Sequence, residues 1–174
     1  MSLLKSLPAC IYQTRSGTLY HLSPVNQAFF DISYLGLSIS DFFHLKNMLE
    51  EIPFNFNKFL GFGNDKNLVL EPIDCLKQCI RGSKNKHAVD LNTKSGFRHF
   101  TIEDYIRFAK KVEPKILVSL TESPDSEIGG NKSHNRCLQK SLSFLDKIIA
   151  ELYHCKQVKN IKKKRNFKFF FFFL

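Results

Sequence analysis

The stretch from His87 to Pro124 constrains the fold of this chain more than any other, because consecutive structural signals follow one another in it. Two β-rich runs, 89–92 and 97–100, flank the tetrapeptide at 93–96, Thr-Lys-Ser-Gly. That tetrapeptide predicts a hairpin turn, since its glycine can take a positive φ at no steric cost. The stretch therefore opens with two antiparallel strands.

A helix and a buried strand are predicted directly after the hairpin. Thr101 is placed as an N-cap, with Asp104 in the capping-box position. One helical face then collects the apolar residues Ile102, Tyr105, Ile106, Ala109 and Val112. Pro114 ends the helix, and the apolar run 116–120 is typical of a strand covered on both faces. In α/β folds the loop after such a strand is where sites are built, which draws attention to 121–124.

Further strands and helices are predicted on both sides of this stretch. Ala9–Gln13 and Thr18–Leu22 read as an antiparallel hairpin, and short strands are predicted at 34–37 and 68–70. A helix starting at Ser38 or Ser40 carries the apolar stripe Phe42, Leu45, Met48, Leu49 and Ile52. The Phe-rich segment 54–62 is predicted as a loop, and 74–80 as one or two helical turns. The most regular helix has an apolar face formed by Leu138, Leu142, Leu145, Ile149 and Leu152.

The order of these elements predicts an α/β fold, either a barrel or an open sheet, after an antiparallel β start. A closed eight-stranded barrel typically needs about 250 residues, and this chain has 174. We therefore expect a truncated barrel in residues 1–153. Residues 154–174 form a separate basic, Phe-rich tail that we predict to be disordered or non-native.

Most of the net charge of +10 lies in that tail. From Lys156 onward there are seven Lys or Arg and no acid, which leaves 19 basic and 16 acidic side chains, a net of +3, before it. One interpretation is a basic-aromatic anchor for a membrane or a nucleic acid. The other is that the Lys and Phe runs come from translation of AT-rich non-coding sequence and do not belong to the fold.

The cysteines and histidines give few metal-site signals. Five cysteines without a secretory signal favour a reducing compartment. Cys75 and Cys79 are one helical turn apart, but no second pair at zinc-finger spacing follows. His134 and Cys137 could share a metal, or could be ordinary helix residues. No apolar run reaches the roughly 20 residues that a membrane span needs.

Catalytic motifs are absent from the sequence: it has no Gly-rich phosphate loop, nucleophile elbow or helical His/Glu metal motif. Glu122 is placed like a general base after the strand, with a solvent-facing loop carboxylate as the alternative. Lys94, Arg98 and Arg136 could contact phosphates or could simply be solvated. No partner can be assigned from sequence to His21, His44, His87 and His99.

Several segments, in order, resemble one family. They are the opening 7–17 with 21–23, the Phe-Leu-Gly-Phe at 59–62, the hairpin and helix at 97–114, and Asn-Lys-Ser at 131–133 with 136 and 140–146. Together they resemble the tRNA-guanine transglycosylases, and within them the non-catalytic accessory subunits of the eukaryotic queuine enzymes. The resemblance covers roughly residues 7–150 and is carried by order and spacing rather than by any single motif.

The resemblance implies a (β/α)8 TIM-type barrel with an N-terminal antiparallel sheet, of which this chain is the N-terminal part. It also implies exchange of guanine for queuine at the tRNA wobble position by a heterodimer with a catalytic subunit. Longer members carry a zinc site of three cysteines and one histidine, beyond this chain. A cytoplasmic location is implied, with possible peripheral association with the mitochondrial outer membrane.

The same resemblance points away from catalysis. Catalytic members carry an aspartate nucleophile, an S-G-G-F-Q stretch and a D-E-C-P stretch whose aspartate helps read the base. Nothing here resembles S-G-G-F-Q, and Thr121 stands in the place of the base-reading aspartate. A hydroxyl cannot replace a carboxylate that accepts hydrogen bonds from a guanine-like edge. We therefore predict no catalytic, cofactor-binding or metal residue in this chain. The predicted function is that of an accessory subunit. The alternative is a small basic RNA-binding or membrane-surface module that uses the tail.

Overall fold

The structure, a computed structural model, describes residues 10–23, 26, 32–52, 55–62, 66–73, 80–83, 85–122, 130–159 and 168–170. The strands in these ranges are β1 Ile11–Gln13, β2 Tyr34–Ser38, β3 Asn67–Glu71, β4 Ile80–Gly82, β5 Ala88–Thr93, β6 Gly96–Thr101, β7 Ile116–Val118 and β8 Lys168–Phe170. The α-helices are α1 Ile39–Phe42, α2 Phe56–Phe59, α3 Ile102–Val112 and α4 Asn131–Lys159. The result is a mixed α/β fold, as the sequence predicted.

A five-stranded parallel sheet forms the centre, in the order β1-β2-β3-β7-β8. Every neighbouring pair in it is parallel. The second sheet is antiparallel, in the order β4-β5-β6, and lies in the chain between β3 and α3. The strands predicted at 34–37, 68–70 and 116–120 are thus confirmed as β2, β3 and β7 with small shifts at their ends.

The two faces of the parallel sheet differ. On one face, alternate residues of β2, β3 and β7 enter the main core with α3 and α4: Leu35, Leu37, Leu68, Leu70 and Leu117. On the other face Tyr34, Val69 and Ile116 form a small separate cluster, with Val118 packed against it. The helices thus cover one face of the sheet, and the opposite face carries the polar ends of the strands.

The predicted hairpin and the helix after it are confirmed. β5 and β6 pair from Ala88↔Thr101 to Thr93↔Gly96, and Gly96 takes a φ of 85°. The Thr101 side chain accepts a hydrogen bond from the Asp104 amide at 3.1 Å, which caps α3. All five residues of the predicted apolar face are buried: Ile102, Tyr105, Ile106, Ala109 and Val112. The helix ends at Val112, and Glu113 before the proline adopts a left-handed conformation.

The predicted N-terminal antiparallel hairpin does not form as expected. Ser16 and Gly17 have φ values of 50° and 81° and make a tight turn, but only one antiparallel bridge, Arg15↔Thr18, closes it. β1 instead pairs in parallel with β2, and the Thr14 amide donates to the Gly36 carbonyl at 3.0 Å. The hairpin thus ends after one bridge, and residues 18–22 form no strand.

The helix predicted from Ser38 or Ser40 to Ile52 is broken into short pieces. The short α1 is followed by two 3-10 turns, at 43–45 and 49–51. Met48, predicted inside, is 50% exposed. Tertiary contacts override the helical pattern here, because Phe43 packs against Phe100 at 5.9 Å between ring centroids and Lys46 pairs with Asp104.

The segment 54–62 also differs from its prediction, since it contains α2. The Asn55 side chain caps this helix by accepting from the Asn57 amide at 2.8 Å. Its aromatics do pack as expected, with Phe56 and Phe62 buried. The helical turns predicted at 74–80 lie outside the described residues, except Ile80, which begins β4.

The long helix α4 is confirmed, but the face that it buries is not the predicted one. Leu138 and Leu142 are 45% and 44% exposed, and Leu145 and Ile149 are only partly buried. The buried face is formed by Cys137, Lys140, Phe144, Ile148 and Leu152, of which only Leu152 belongs to the predicted set. Two apolar stripes thus run along α4, and the structure packs only one of them.

The tail predicted to lie outside the fold contributes one strand. β8 pairs in parallel with β7, with Ile116 opposite Lys168 and Val118 opposite Phe170. The connection β7-α4-β8 therefore has the strand-helix-strand order of a parallel sheet. The division of the chain at residue 153 remains a prediction. Within the described residues, every helix is too short or too polar to cross a membrane.

Candidate functional site at the carboxyl edge of the parallel sheet

The carboxyl ends of the parallel strands meet at one edge, which is where α/β folds place their sites. Gln13 ends β1, Ser38 ends β2 and Glu71 ends β3. The Gln13 amide nitrogen donates to both carboxylate oxygens of Glu71, at 3.1 and 3.2 Å. The Gln13 side chain therefore spans β2 to reach β3, and a hydrogen-bonded carboxylate stands at this edge.

Gly36 on β2 permits that contact. It lies directly beside Gln13 in the register of the sheet. A Cβ at this position would lie 2.4 Å from the Gln13 side-chain oxygen, closer than two such atoms can approach. Glycine at this position thus leaves room for the Gln13 side chain to cross its backbone, and it does not serve a special φ.

Hydroxyl groups nearby are engaged within the protein. The Thr14 hydroxyl donates to the Gly36 carbonyl at 2.7 Å, and the hydroxyls of Ser38 and Ser40 are 2.7 Å apart. Asp41, only 2% exposed, accepts from the Ser16 amide at 2.9 Å. These contacts fix the first turn of the chain to the end of β2.

Tyr105 links α3 to the same edge. Its ring is fully buried and its hydroxyl donates to the Val118 carbonyl, at the last residue of β7. Burial, together with the negative charge of Glu71, raises the pKa of the Tyr105 phenol well above its usual value of 10.0. The phenol therefore stays protonated at neutral pH and acts as a fixed hydrogen-bond donor, unsuited to proton transfer.

Thr121 and Glu122 follow β7, as the sequence predicted, but Glu122 is not a solvent-facing loop carboxylate. Its side chain is 6% exposed and forms an ion pair of 2.6 Å with the Lys140 ammonium of α4. Lys140 also donates to the Ser83 carbonyl at 3.1 Å, and the Glu122 amide donates to the Ser141 hydroxyl at 3.0 Å. The one acid placed like a general base therefore fastens the loop to α4, while Thr121 remains half-buried beside it.

A Ser-His-Asp grouping on the antiparallel sheet resembles a catalytic triad only in composition. The Ser83 hydroxyl lies 3.4 Å from His99 Nδ1, and an Asp90 carboxylate oxygen lies 3.1 Å from the same nitrogen. A triad needs its nucleophile and its acid on opposite ring nitrogens, so that the imidazole can pass a proton between them. This geometry provides no such path.

The other sequence candidates are dispersed. His134 is exposed on α4 and Cys137 is buried, while Cys75 and Cys79 lie outside the described residues. Among the residues that the structure describes, no three His, Cys, Asp or Glu side chains come together as a metal site. Arg136 is exposed on α4, far in sequence from Lys94 and Arg98 of the hairpin. Lys94 donates to the Ser16 hydroxyl at 2.7 Å, a contact that the sequence did not predict.

The Gln13–Glu71 pair was missed because its members are 58 residues apart in the chain. A signal existed: Glu71 follows the predicted strand 68–70 and Gln13 ends the predicted strand 9–13, so both stand at strand ends. Only the parallel register of β1, β2 and β3 shows that these ends meet.

The fold and its site define a mixed α/β protein with a parallel sheet whose carboxyl edge is polar. No family model matches the chain. A search of curated proteins finds similarity to the Anopheles gambiae "Queuine tRNA-ribosyltransferase accessory subunit 2", with 26% identity over 149 residues. The match covers 83% of this chain and 33% of the mosquito protein, so the chain spans about a third of the length of the relative it matches.

Proposed function

We propose that this chain is a non-catalytic subunit of a heterodimeric queuine tRNA-ribosyltransferase, which supports exchange of guanine for queuine at the tRNA wobble position. The observation that carries the proposal is the similarity to an accessory subunit of that enzyme over 83% of the chain. The mosquito protein's name implies a catalytic partner subunit, and we extend that partnership to this chain.

The geometry of the carboxyl edge supports a non-catalytic role. Glu122 is held by Lys140 at 2.6 Å, and Glu71 accepts from Gln13. Tyr105 is kept protonated by burial. Acid-base catalysis needs a group whose pKa lies near the working pH and whose proton can reach a substrate. These three groups serve the packing of the edge instead, and Thr121 supplies only a hydroxyl where the family's aspartate reads the base.

We further propose that the parallel sheet is the first part of a (β/α)8 barrel. Strands β1, β2, β3 and β7 lie side by side in the order in which they occur along the chain, with the antiparallel sheet inserted between β3 and β7, and helices cover one face, as in such a barrel. The exposed stripe of α4 at Leu138 and Leu142 would pack against the next helix of the barrel. Direct structure determination of a longer form of the protein would test this arrangement.

We propose a zinc site only for longer members of the family, as the resemblance implies. Among the described residues, no three His, Cys, Asp or Glu side chains come together as a metal site. We propose a cytoplasmic location, with peripheral association with the mitochondrial outer membrane through the complex. Fractionation of cells that express the chain with its catalytic partner would test the location.

Co-purification tests the partnership. The full chain is expressed with a tagged catalytic subunit of queuine tRNA-ribosyltransferase and the complex is isolated by size exclusion. We expect a one-to-one complex that survives 150 mM salt. Elution of the two polypeptides as separate species, with each one folded by circular dichroism, would contradict the proposal.

A further inference from the structure

The strand β8 lies in the tail of the chain, the part predicted to be disordered or non-native. It pairs in parallel with β7, with Leu117 opposite Phe169 and Val118 opposite Phe170. Residues 160–167 join it to the end of α4. The tail therefore has a defined place at one edge of the parallel sheet, which neither a surface anchor nor a non-native extension requires.

β7 is an apolar strand that would be open on one side without β8. Ile116 and Leu117 are 8% and 1% exposed, and Val118 packs against the cluster that contains Ile116. Among the described residues, β3 is the other strand that pairs with β7. An apolar strand with unpaired N–H and C=O groups along one side is a template on which a strand of another chain can add. The β7 edge therefore needs a cover.

The geometry of the sheet identifies the residue of β7 whose backbone faces β8. The Leu68 carbonyl of β3 accepts from the Lys115 amide at 2.8 Å, so the backbone groups of Leu68 point toward β7. Because backbone groups alternate between the two sides of a strand, those of Leu70 point the same way. In each register pair of a parallel ladder, only one residue directs its N–H and C=O to the other strand. Leu70 is paired with Leu117, so Leu117 directs its own groups to β8.

The same rule assigns the residues of β8. Leu117 faces β8 and is paired with Phe169, so the backbone groups of Phe169 point away from β7. The groups of Lys168 and Phe170, on either side of it, point toward β7. In a regular parallel ladder the Leu117 amide then donates to the Lys168 carbonyl, and the Phe170 amide donates to the Leu117 carbonyl. Two adjacent phenylalanines of β8 thus differ in whether their N–H groups serve the sheet.

β8 also has features of an edge strand that resists further pairing. It is three residues long and begins with Lys168. The sequence before it contains the basic run Lys162 to Arg165. Short length and positive charge disfavour the addition of another strand, because the like charges of two chains repel. β8 can therefore cover β7 without offering an equally strong template of its own.

We propose that the tail supplies an edge strand, β8, that closes the β7 side of the sheet and thereby prevents a second molecule from adding a strand there. The Leu117 N–H and C=O groups are bonded within the chain and are not offered to another one. This role differs from both interpretations of the tail that its composition gives, because it depends on the backbone of residues 168–170. It concerns this chain alone and needs neither the catalytic partner nor a complete barrel.

Two proline variants of the full chain make a matched pair for the test. Phe170→Pro removes the N–H that bonds to the Leu117 carbonyl, whereas Phe169→Pro removes an N–H that points away from β7. Proline is tolerated in an edge strand where its missing N–H faces solvent, so the second variant controls for the proline ring and for the lost phenyl group. The measurements are amide hydrogen exchange by NMR and light scattering over a range of protein concentrations.

We expect the Leu117 amide to be protected in the unmodified chain and to exchange at least about tenfold faster in Phe170→Pro, because its partner strand is lost. Phe169→Pro should change this exchange rate less than about threefold. The amides of Ile116 and Val118 face β3 and should change little in either variant. Phe170→Pro alone should self-associate as its concentration rises, since its β7 edge is open.

Three results would overturn the proposal. One is a Leu117 amide that exchanges in the unmodified chain as fast as the amide of an unstructured peptide. Another is an equal effect of the two proline variants on that amide. The third is fast exchange in Phe170→Pro without self-association, which would show that β8 does not block the addition of another strand.

If Phe170→Pro does not fold, the unmodified chain decides. The protection of the Leu117 amide should then be the same at every protein concentration, as expected for a cover that belongs to the same molecule. Protection that grows with concentration would assign the cover to a second molecule and would overturn the proposal.

Discussion

The carboxyl edge of the parallel sheet and the tip of the β5–β6 hairpin are both polar, but their charges are used differently. At the edge, Glu122 and Lys140 are 6% and 8% exposed and face each other at 2.6 Å. At the tip, Lys94 and Arg98 face solvent. A buried ion pair that loses one partner leaves an uncompensated charge, whereas an exposed cation loses little when it is removed.

This difference teaches where contacts with other molecules can form. At the edge Glu122 is paired with Lys140 and Glu71 accepts from Gln13, so a substrate would have to displace contacts inside the protein to reach these carboxylates. Groups at the tip are exposed, so other molecules can reach them without displacing buried contacts. The carboxyl edge, where an enzyme with this fold would hold its substrate, is therefore occupied by contacts within the protein. The exposed cations lie instead on the β5–β6 hairpin. That arrangement agrees with the non-catalytic role proposed above.

Lys140→Met should give the largest effect on stability. It leaves the Glu122 carboxylate buried without its cation, and we expect the free energy of unfolding to fall by about 3 to 5 kcal/mol. Urea denaturation of the full chain measures the change. Adding Glu122→Leu to Lys140→Met should recover most of the loss, because an apolar pair of similar volume carries no charge to desolvate.

Two exposed cations serve as controls for that prediction. Lys147→Met removes an exposed pair with Glu103, 3.5 Å apart, and should cost less than about 1 kcal/mol. Arg98→Gln at the hairpin tip should change stability by no more than about 0.5 kcal/mol. If Lys140→Met costs no more than these two variants, the edge is not held by its buried pair and the contrast fails.

Gly36→Ala should have the next largest effect. The added Cβ occupies the place of the Gln13 side chain, 2.4 Å from its oxygen, and should separate Gln13 from Glu71. We expect a loss of about 1 to 3 kcal/mol in the free energy of unfolding. A double-mutant cycle measures the coupling: in a Gln13→Ala background the same glycine substitution should cost much less. Additive losses would show that the glycine serves another purpose.

Asp104→Asn should have a smaller effect that depends on pH. Burial raises the pKa of the Asp104 carboxyl, but the Lys46 ammonium at 2.8 Å and hydrogen bonds from Thr101 outweigh it, and the net pKa is below the usual 3.8. A carboxyl with a lowered pKa in the folded state stabilises the fold above its unfolded pKa and loses that contribution as pH falls through the folded value.

The Asn variant should therefore lose about 1 to 2 kcal/mol at pH 7, because it removes the charge that pairs with Lys46 and leaves the Thr101 cap of α3 in place. Its stability should decline less steeply than that of the unmodified chain as pH falls below about 4. Denaturation curves at several pH values test both statements. An equal acid slope in the two proteins would contradict the assignment of that slope to Asp104.

Local sequence signals predicted the β5–β6 hairpin and the helix α3 correctly. The turn at 93–96, the cap at Thr101 and the five apolar positions of α3 are all encoded within a few residues of each other, and each is confirmed. The contact between Gln13 and Glu71 could not be predicted in this way, because it depends on the parallel register of three strands that are distant in sequence.

The long helix α4 shows a second limit. Its 4-3 repeat at Leu138, Leu142, Leu145 and Ile149 is more regular than the stripe that the structure buries. The buried stripe includes Lys140, which pattern reasoning places outside, because the partner that makes its burial possible is Glu122 on another element. Periodicity identifies a helix, but the face that packs is decided by what lies opposite it.

The central claim is that the chain supports queuine insertion without catalysing it. The most direct test is an incorporation assay on tRNA that carries guanine at the wobble position, with the full chain alone, the catalytic subunit alone, and both together. We expect no incorporation by the chain alone, and incorporation by the two together that exceeds that of the catalytic subunit alone. Incorporation by the chain alone, or no change when it is added to its partner, would contradict the account.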